Sequence, residues 1–283
     1  MPTTTVAILH PGEMGSAVAA RLAARGQRCV WASQGRSAAT AARAHGIVDC
    51  GTLAAALREA DIALSVCPPH GAFELARAVA AVGFSGIYVD ANAIAPATAR
   101  EVGRIVTANA GARFVDGGII GPPPEKAGTT RLYLSGADAA ALAAAWNDEI
   151  LGVIALDGEA GAASALKACY AGWNKGSIAL LTAIRALARQ EGVDAALIDE
   201  WELSQPGLAR RSEAITTQAY KAWRWVAEME EIAASLSAVG LPPGFHEAAA
   251  EVFARLEGFK ETRRLDSIAP ALAALGTAGP KRG

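Results

Sequence analysis

The sequence predicts an α/β protein: a doubly wound parallel sheet in the N-terminal part, followed by an all-α C-terminal part. Three observations predict it. Residues 5–155 alternate short apolar runs with helical patterns, as a parallel sheet covered on both faces requires. The first run, Val6-Ala7-Ile8-Leu9, meets His10-Pro11-Gly12-Glu13-Met14-Gly15 and opens an Ala-rich helical pattern. That is the strand, tight turn and helix of a dinucleotide-binding unit. After about Gly158 the strand signals stop, and the pattern is helical as far as Pro270.

The elements follow in order. Strands are predicted at Val6–Leu9, Arg28–Ala32, Ile62–Val66, Gly86–Val89, Arg113–Val115 and Leu132–Ser135. Helices are predicted between and after them at Ala17–Ala24, Ala38–Ala44, Leu53–Arg58, Ala72–Ala81, Pro96–Ala110 and Ala139–Trp146. Each strand is a short run rich in Val, Ile or Leu, and each helix is Ala-rich. The domain boundary falls near Leu156–Gly161, giving a dinucleotide-binding domain over 1–158 and a helical domain over 159–283. The tail Gly276–Gly283 is expected to fray.

Composition narrows the function. Apolar residues are 52% and charged residues 19%, a globular balance, and the net charge of −2 offers nothing to nucleic acid or an anionic membrane. No apolar run is long enough to span a bilayer, and the N-terminus has no signal-peptide pattern, so a cytoplasmic protein is expected. Cys29, Cys50, Cys67 and Cys169 are scattered, which suits buried reduced thiols rather than disulfides or a metal site.

The first turn is read as a cofactor site through Pro11, Gly12, Glu13, Met14 and Gly15. Gly12 would let backbone approach a pyrophosphate at the helix N-terminus, and Gly15 would let helix and strand pack closely. His10 stands where such loops usually have their first glycine. The second strand ends at Ser33-Gln34-Gly35-Arg36-Ser37 with no acid to hold a ribose 2′-hydroxyl; the next acid is Asp49. Ser33, Arg36 and Ser37 offer a cation and hydroxyls suited to a 2′-phosphate, so NADP fits better than NAD. Cys67 and Pro68, after the Ile62–Val66 strand, join the expected cofactor contacts. Asn92 follows the next strand, where it would cap a helix or contact substrate. Gly117–Gly121 reads as a third loop at the same edge, with Gly118 beside the substrate.

Gly161–Gln190 reads as one long helix, apolar nearly all round between Ser164 and Ile184 and therefore buried. Lys167, Tyr170 and Asn174 share one stripe of it, with Lys175 about 80° away. A lysine in such a setting becomes a usable acid/base, or else snorkels or pairs with Glu228 or Glu231.

Taken together, the motifs resemble the β-hydroxyacid dehydrogenases of the 6-phosphogluconate dehydrogenase superfamily, over the whole length of the chain. His10-Pro11-Gly12-Glu13-Met14-Gly15 is similar to that family's Gly-x-Gly-x-Met-Gly. Asp90-Ala91-Asn92-Ala93-Ile94-Ala95-Pro96 resembles its Asp-x-Ser-Thr-x-x-Pro segment, and Phe114-Val115-Asp116 with the following glycines resembles Phe-x-Asp-Ala-Pro-Val-Ser-Gly-Gly. Gly161 to Ala171 resembles Gly-x-Gly-x-x-x-Lys-x-x-Asn-Asn, in which Lys167 falls on the catalytic lysine. The chain departs at Ala163, Tyr170 and Ala171, at Asn92-Ala93, and at Ile120-Gly121-Pro122. The segment Arg224 to Ala233 resembles a subgroup with an uncharacterised helical C-terminal domain.

The resemblance implies a Rossmann domain binding NADP, a small-molecule substrate and a homodimer joined mainly through residues 161–283. It implies reversible oxidation of an alcohol, hydroxy-acid-like, to a carbonyl. Lys167 would be the general acid/base, Tyr170 would assist it, and Asn92, Asn174 and Gly118 would orient substrate. An imine reductase of the same superfamily is the alternative enzyme, and a non-catalytic NADP-binding sensor the alternative class.

Overall fold

The computed structural model describes residues 3–109 and 111–276. It divides into two compact units, Met1–Ala168 and Cys169–Gly283. In the first unit, β1 (Thr5–Ile8), α1 (Glu13–Ala24), β2 (Arg28–Trp31), α2 (Ala38–Arg43), β3 (Val48–Asp49), α3 (Leu53–Glu59), β4 (Ile62–Ser65), α4 (Ala72–Ala81), β5 (Ile87–Asp90) and α5 (Pro96–Thr107) alternate strictly. They are followed by β6 (Arg113–Ile120), β7 (Thr130–Ser135), α6 (Ala139–Trp146) and β8 (Leu151–Ala155). The strands form one sheet in the order β3-β2-β1-β4-β5-β6-β7-β8.

Strand β1 shows why this sequence makes such a sheet. Val6 and Ile8 join an apolar cluster with Val18 and Leu22 of α1, while Ala7 and Leu9 join the opposite cluster with Val30 and Tyr88. Successive side chains alternate between faces, and both faces are buried, so the strand reads as an unbroken apolar run. Trp146, Leu22, Leu64 and Tyr88 are among the largest side chains fully removed from water. Each contributes roughly 1.5–3 kcal/mol of transfer free energy.

Three expectations are corrected here. The sheet is not wholly parallel, because β7 runs antiparallel to β6. Two strands lacked a readable signal: β3 is two exposed residues, and β8 follows the helix Ala139–Trp146 after only four. Gly117–Ile120 is not a loop; β6 runs on through it, Gly118 pairing with Tyr133 and Ile119 with Leu132. Helix α5 closes at Thr107; Ala110, placed in it from the sequence, lies outside the described residues, as do residues 277–283 of the expected tail.

The helix α7 (Ala162–Gln190) starts in the first unit and continues into the second. The second unit adds α8 (Asp194–Ser204), α9 (Leu208–Ser212), α10 (Ala222–Ala238), α11 (Gly244–Ala254) and α12 (Ala269–Gly276), with no strand among the described residues. Its core holds Trp225 edge-on to Phe253 with ring centroids 5.0 Å apart, together with Met229, Ile215 and Leu256. The expectation that α7 is buried all round is wrong. Tyr170, Trp173, Leu180, Ile184 and Leu187 all stand exposed on it, Trp173 by 66%. Of the four cysteines only Cys29 is buried; Cys169 is exposed, and all four are free thiols.

Candidate active site

The first turn is built around Gly15. A Cβ on Gly15 would lie 2.3 Å from the His10 carbonyl oxygen, so only glycine allows α1 to start this close to β1. Gly12 is the N-cap of α1 with no side-chain cap, so the first-turn N–H groups face a ligand position rather than a serine or aspartate. A Cβ on Gly12 would meet the His10 ring at 3.3 Å. Pro11 is buried, Met14 packs against the core, and Glu13 is exposed in the first helical turn. An uncapped helix start with a glycine cradle fits the pyrophosphate of a dinucleotide.

The turn after β2 holds a surprise. Arg36 reaches back to the first turn, donating from Nη2 to the Leu9 carbonyl (2.9 Å) and from Nη1 to His10 Nδ1 (3.0 Å). Burial lowers the His10 pKa first, and the cations of Arg36 and Arg43 lower it further. Ser37 is the N-cap of α2, its Oγ accepting from Thr40 N (3.2 Å). The acid that the sequence lacks at the end of β2 arrives from the neighbouring strand: Asp49 Oδ1 accepts from Ser33 N (3.2 Å) and Gly51 N (2.8 Å). Those hydrogen bonds, the Ser33 side chain foremost, lower the Asp49 pKa.

Strand register sets three polar residues side by side. Ser65 of β4 pairs with Asp90 of β5, and Asp90 with Asp116 of β6, all three fully buried. Asn92 ties this row together. Its Nδ2 donates to Asp90 Oδ2 (2.9 Å) and Ser65 Oγ (3.0 Å), and its Oδ1 accepts from Cys67 N (2.6 Å). Asn92 is only 2% exposed and caps no helix; the N-cap of α5 is Ala95. It joins the loops after β4 and β5, so the expected capping role does not fit it. Burial raises the Asp90 carboxyl to about 7, and the nearby Asp116 adds to the rise against the hydrogen bonds from Asn92. Burial likewise pushes the half-buried Cys67 thiol up to about 11, and Pro68 beside it is exposed.

Asp116 fixes the start of α7. Its Oδ2 accepts from Ser135 Oγ (3.0 Å), Gly161 N (2.9 Å) and Ser164 N (3.0 Å), and its Oδ1 from Ser164 Oγ (2.5 Å). Ala163 N donates in turn to Ser135 Oγ (3.1 Å). A buried carboxyl therefore satisfies N–H groups that open a helix, where the helix dipole favours an acid. Three residues past Ser164, Lys167 donates from Nζ to the Ile119 carbonyl (2.7 Å). Gly118 lies beneath: a Cβ there would sit 2.6 Å from the Ala163 oxygen and 3.1 Å from Lys167 Cβ. Gly118 is thus a packing glycine that lets α7 onto β6. Ile119 lies three residues beyond Asp116, which is level with the carboxyl ends of β4 and β5. Lys167 is held at the edge of the sheet where ligands of open α/β sheets bind.

In the second unit, Tyr170 is exposed, and Asn174 Nδ2 donates to the Tyr170 carbonyl (3.0 Å). Lys175 is paired with Glu228 and lies 5.3 Å from the Trp225 ring centroid, which makes it a structural lysine. Gly172 and Gly176 leave room for the His246 ring of α11, whose Nε2 is 3.2 Å from the Gly172 carbonyl oxygen. Asp116, Asp90 and the His10–Arg36 pair were not singled out as site residues from sequence. Asp116 and Asp90 had a signal as fixed positions in the family-like segments; Arg36 and His10 were each visible, as a cation for a 2′-phosphate and a replaced glycine, but their pairing was not.

Residues 5–156 match the family described as the NAD binding domain of 6-phosphogluconate dehydrogenase, and residues 188–256 match a domain of unknown function, DUF1932. No curated protein matches the chain. Among solved structures, MTH1747, a protein of unknown function described as structurally similar to 3-hydroxyacid dehydrogenases, is 26% identical, covering 89% of this chain and 97% of its own, with a TM-score of 0.66. Mycobacterium tuberculosis 3-hydroxyisobutyrate dehydrogenase, solved with L-serine, is 20% identical over 97% of this chain and 100% of its own (TM-score 0.70). A reductive aminase from Aspergillus terreus, in complex with NADPH4, cyclohexanone and allyl amine, is 19% identical over 96% and 99% (TM-score 0.55). Among the described residues, no helix is long and apolar enough to cross a membrane.

Proposed function

Because the chain belongs to the family of the NAD binding domain of 6-phosphogluconate dehydrogenase, we propose that it is an NADP-dependent oxidoreductase interconverting a small hydroxy-acid-like alcohol and its carbonyl. The cofactor, when bound, supplies the hydride acceptor or donor. The chain binds and orients the substrate and moves a proton. Lys167 takes the hydroxyl proton in oxidation and returns it in reduction. The observation that carries this reading is the anchoring of Lys167 Nζ on the Ile119 carbonyl, 2.7 Å away, beyond the carboxyl ends of the parallel strands. Arg36, tied to the first turn, supports NADP over NAD, against the acid that Asp49 brings to the same turn. The lysine also favours alcohol over imine chemistry, because the imine reductases that the sequence resembles commonly lack it.

A homodimer joined through the helical part belongs to the same reading. Exposed large apolar side chains concentrate there: Leu203 (81%), Phe245 (77%), Val239 (71%) and Trp173 stand out, while among the described residues of the first unit only Val48, Val82 and Ile154 do. Apolar surface so concentrated marks an association face.

The test is a cofactor-reduction screen over hydroxy acids, amino alcohols and aryl alcohols, followed by Lys167→Ala on the substrate found. The variant should keep its fold and its NADPH affinity, and the chemical step should fall by about 10²–10⁴. Normal turnover in a well-folded variant removes Lys167 from the chemistry. NADPH binding without turnover on any alcohol, carbonyl or imine makes the protein a sensor instead.

A further inference from the structure

The first glycine of the dinucleotide loop is replaced by His10, and the structure gives the replacement a purpose. No non-glycine residue among those described has a positive φ, so the turn at His10 does not need glycine's left-handed conformation. The position is open to a side chain, and the imidazole fills it. Its Nδ1 is 3.0 Å from Arg36 Nη1. A guanidinium only donates, so Nδ1 is the acceptor and the ring is neutral with its proton on Nε2. The same guanidinium donates through Nη2 to the carbonyl of Leu9, the residue before His10. An arginine from the turn after β2 is thereby clamped onto the loop after β1 by two adjacent residues. Two of its five N–H donors are used, and Arg36 remains exposed to solvent.

We propose that His10 is a cofactor-specificity residue: it positions Arg36 so that the pair, rather than Arg36 alone, reads the adenosine 2′-phosphate of NADPH. The inference rests on the NADP reading above. Its physical basis is preorganisation. A free arginine loses much rotamer freedom when it engages a phosphate, and a clamped one has already lost it. That difference is worth on the order of tenfold in affinity for the phosphorylated cofactor, and nothing for NADH, which lacks the 2′-phosphate. Asp49, which faces the same turn through Ser33, opposes the phosphate by charge and sharpens the need for a fixed cation.

The experiment is titration of full-length protein with NADPH and with NADH, followed by nucleotide fluorescence, for wild type, H10G, H10N, R36A and H10G/R36A. H10G should weaken NADPH about tenfold and change NADH by less than about twofold. H10N should recover most of the loss, because its Oδ1 occupies the place of the imidazole Nδ1 and accepts the same bond. The double variant should bind NADPH no worse than R36A, since His10 acts through Arg36. The role of His10 is overturned if H10G binds NADPH as wild type does, if it weakens both nucleotides equally, or if the two substitutions add. A wild type that prefers NADH assigns the turn to Asp49 and overturns the pair together with the NADP preference. A wild type that binds neither nucleotide overturns the dinucleotide reading itself.

Discussion

Asp116→Ala should loosen the start of α7 before anything else in the protein. The carboxyl accepts four hydrogen bonds, two from the backbone N–H groups of Gly161 and Ser164 and two from the hydroxyls of Ser135 and Ser164. The hydroxyls can rotate to other acceptors; the two N–H groups cannot. Each buried N–H left without a partner costs about 1–3 kcal/mol. The lost interaction between an acid and the helix N-terminus adds roughly 0.3–2 kcal/mol. A loss of about 4 kcal/mol follows, on the order of 10 °C in melting temperature for a chain of this size. Asp116→Asn keeps one oxygen for the two N–H groups but gives up the charge and the acceptor for the Ser164 hydroxyl, which can rotate to accept from the new amide instead, so it should lose about 1–2 kcal/mol. Thermal melts measure the sum, and hydrogen–deuterium exchange locates it: peptides across 159–168 should lose protection first, ahead of β1 and β4. An Asp116→Ala protein melting within about 2 °C of wild type would refute the reasoning. So would an Asp116→Asn protein more stable than wild type, because the burial cost of the carboxyl would then exceed the worth of its bonds.

Two further outcomes are expected. Asp90, raised to about 7 in the folded chain from an ordinary 3.8, stabilises the fold fully below about pH 4 and loses that contribution as pH rises through 7; the melting temperature of Asp90→Asn should therefore gain on wild type between pH 5 and pH 8, and a constant gap between the two melting curves would contradict it. Light scattering at micromolar concentration should give a dimer, with Trp173→Glu and Leu187→Glu shifting it toward monomer, and a monomeric wild type would end the proposal that the exposed apolar side chains of α7 are an association face.

The sheet was legible because each buried strand is an apolar run closed by turn residues; Val6 to Leu9 and Ile62 to Ser65 need no tertiary information to be found. What escaped reading had no local signature. Strand β3 is two exposed residues held by pairing with β2. The end of β6 looked like a loop because Gly117 and Gly118 have low strand propensity. They are tolerated in the strand because a Cβ at Gly117 would sit 2.8 Å from the Asp90 carbonyl oxygen, and one at Gly118 would strike α7. The burial of α7 was overestimated for a related reason: apolar residues all round a helix show that its faces are to be covered, but not that this chain covers them. Lys175 could not be told from Lys167 by helical position. The partner of Lys175, Glu228, lies 53 residues away and has no signature in the helix itself.

The pattern of agreement and departure within the family-like motifs now has a physical sense. The residues that match are those with a steric or hydrogen-bonding demand in this structure. Gly15 makes room for the His10 carbonyl, Asp116 holds the first turn of α7, Gly118 lets that turn approach, and Lys167 is anchored by the strand beneath. The departures are mixed: some meet demands of this chain's own, as Asn92 and Gly121 do, and others meet none. Asn92 serves a hydrogen-bond network inside the sheet edge, Ala163 needs no glycine where its N–H meets Ser135, and Tyr170 projects into solvent. On the proposed reading, the chain keeps the groups that place Lys167 and the dinucleotide loop while changing residues around them. If the proposed alcohol chemistry holds, the substrate screen should extend to alcohols that differ from small hydroxy acids in the parts remote from the reacting carbon. Selectivity for such parts comes from pocket contacts rather than from the acid/base group.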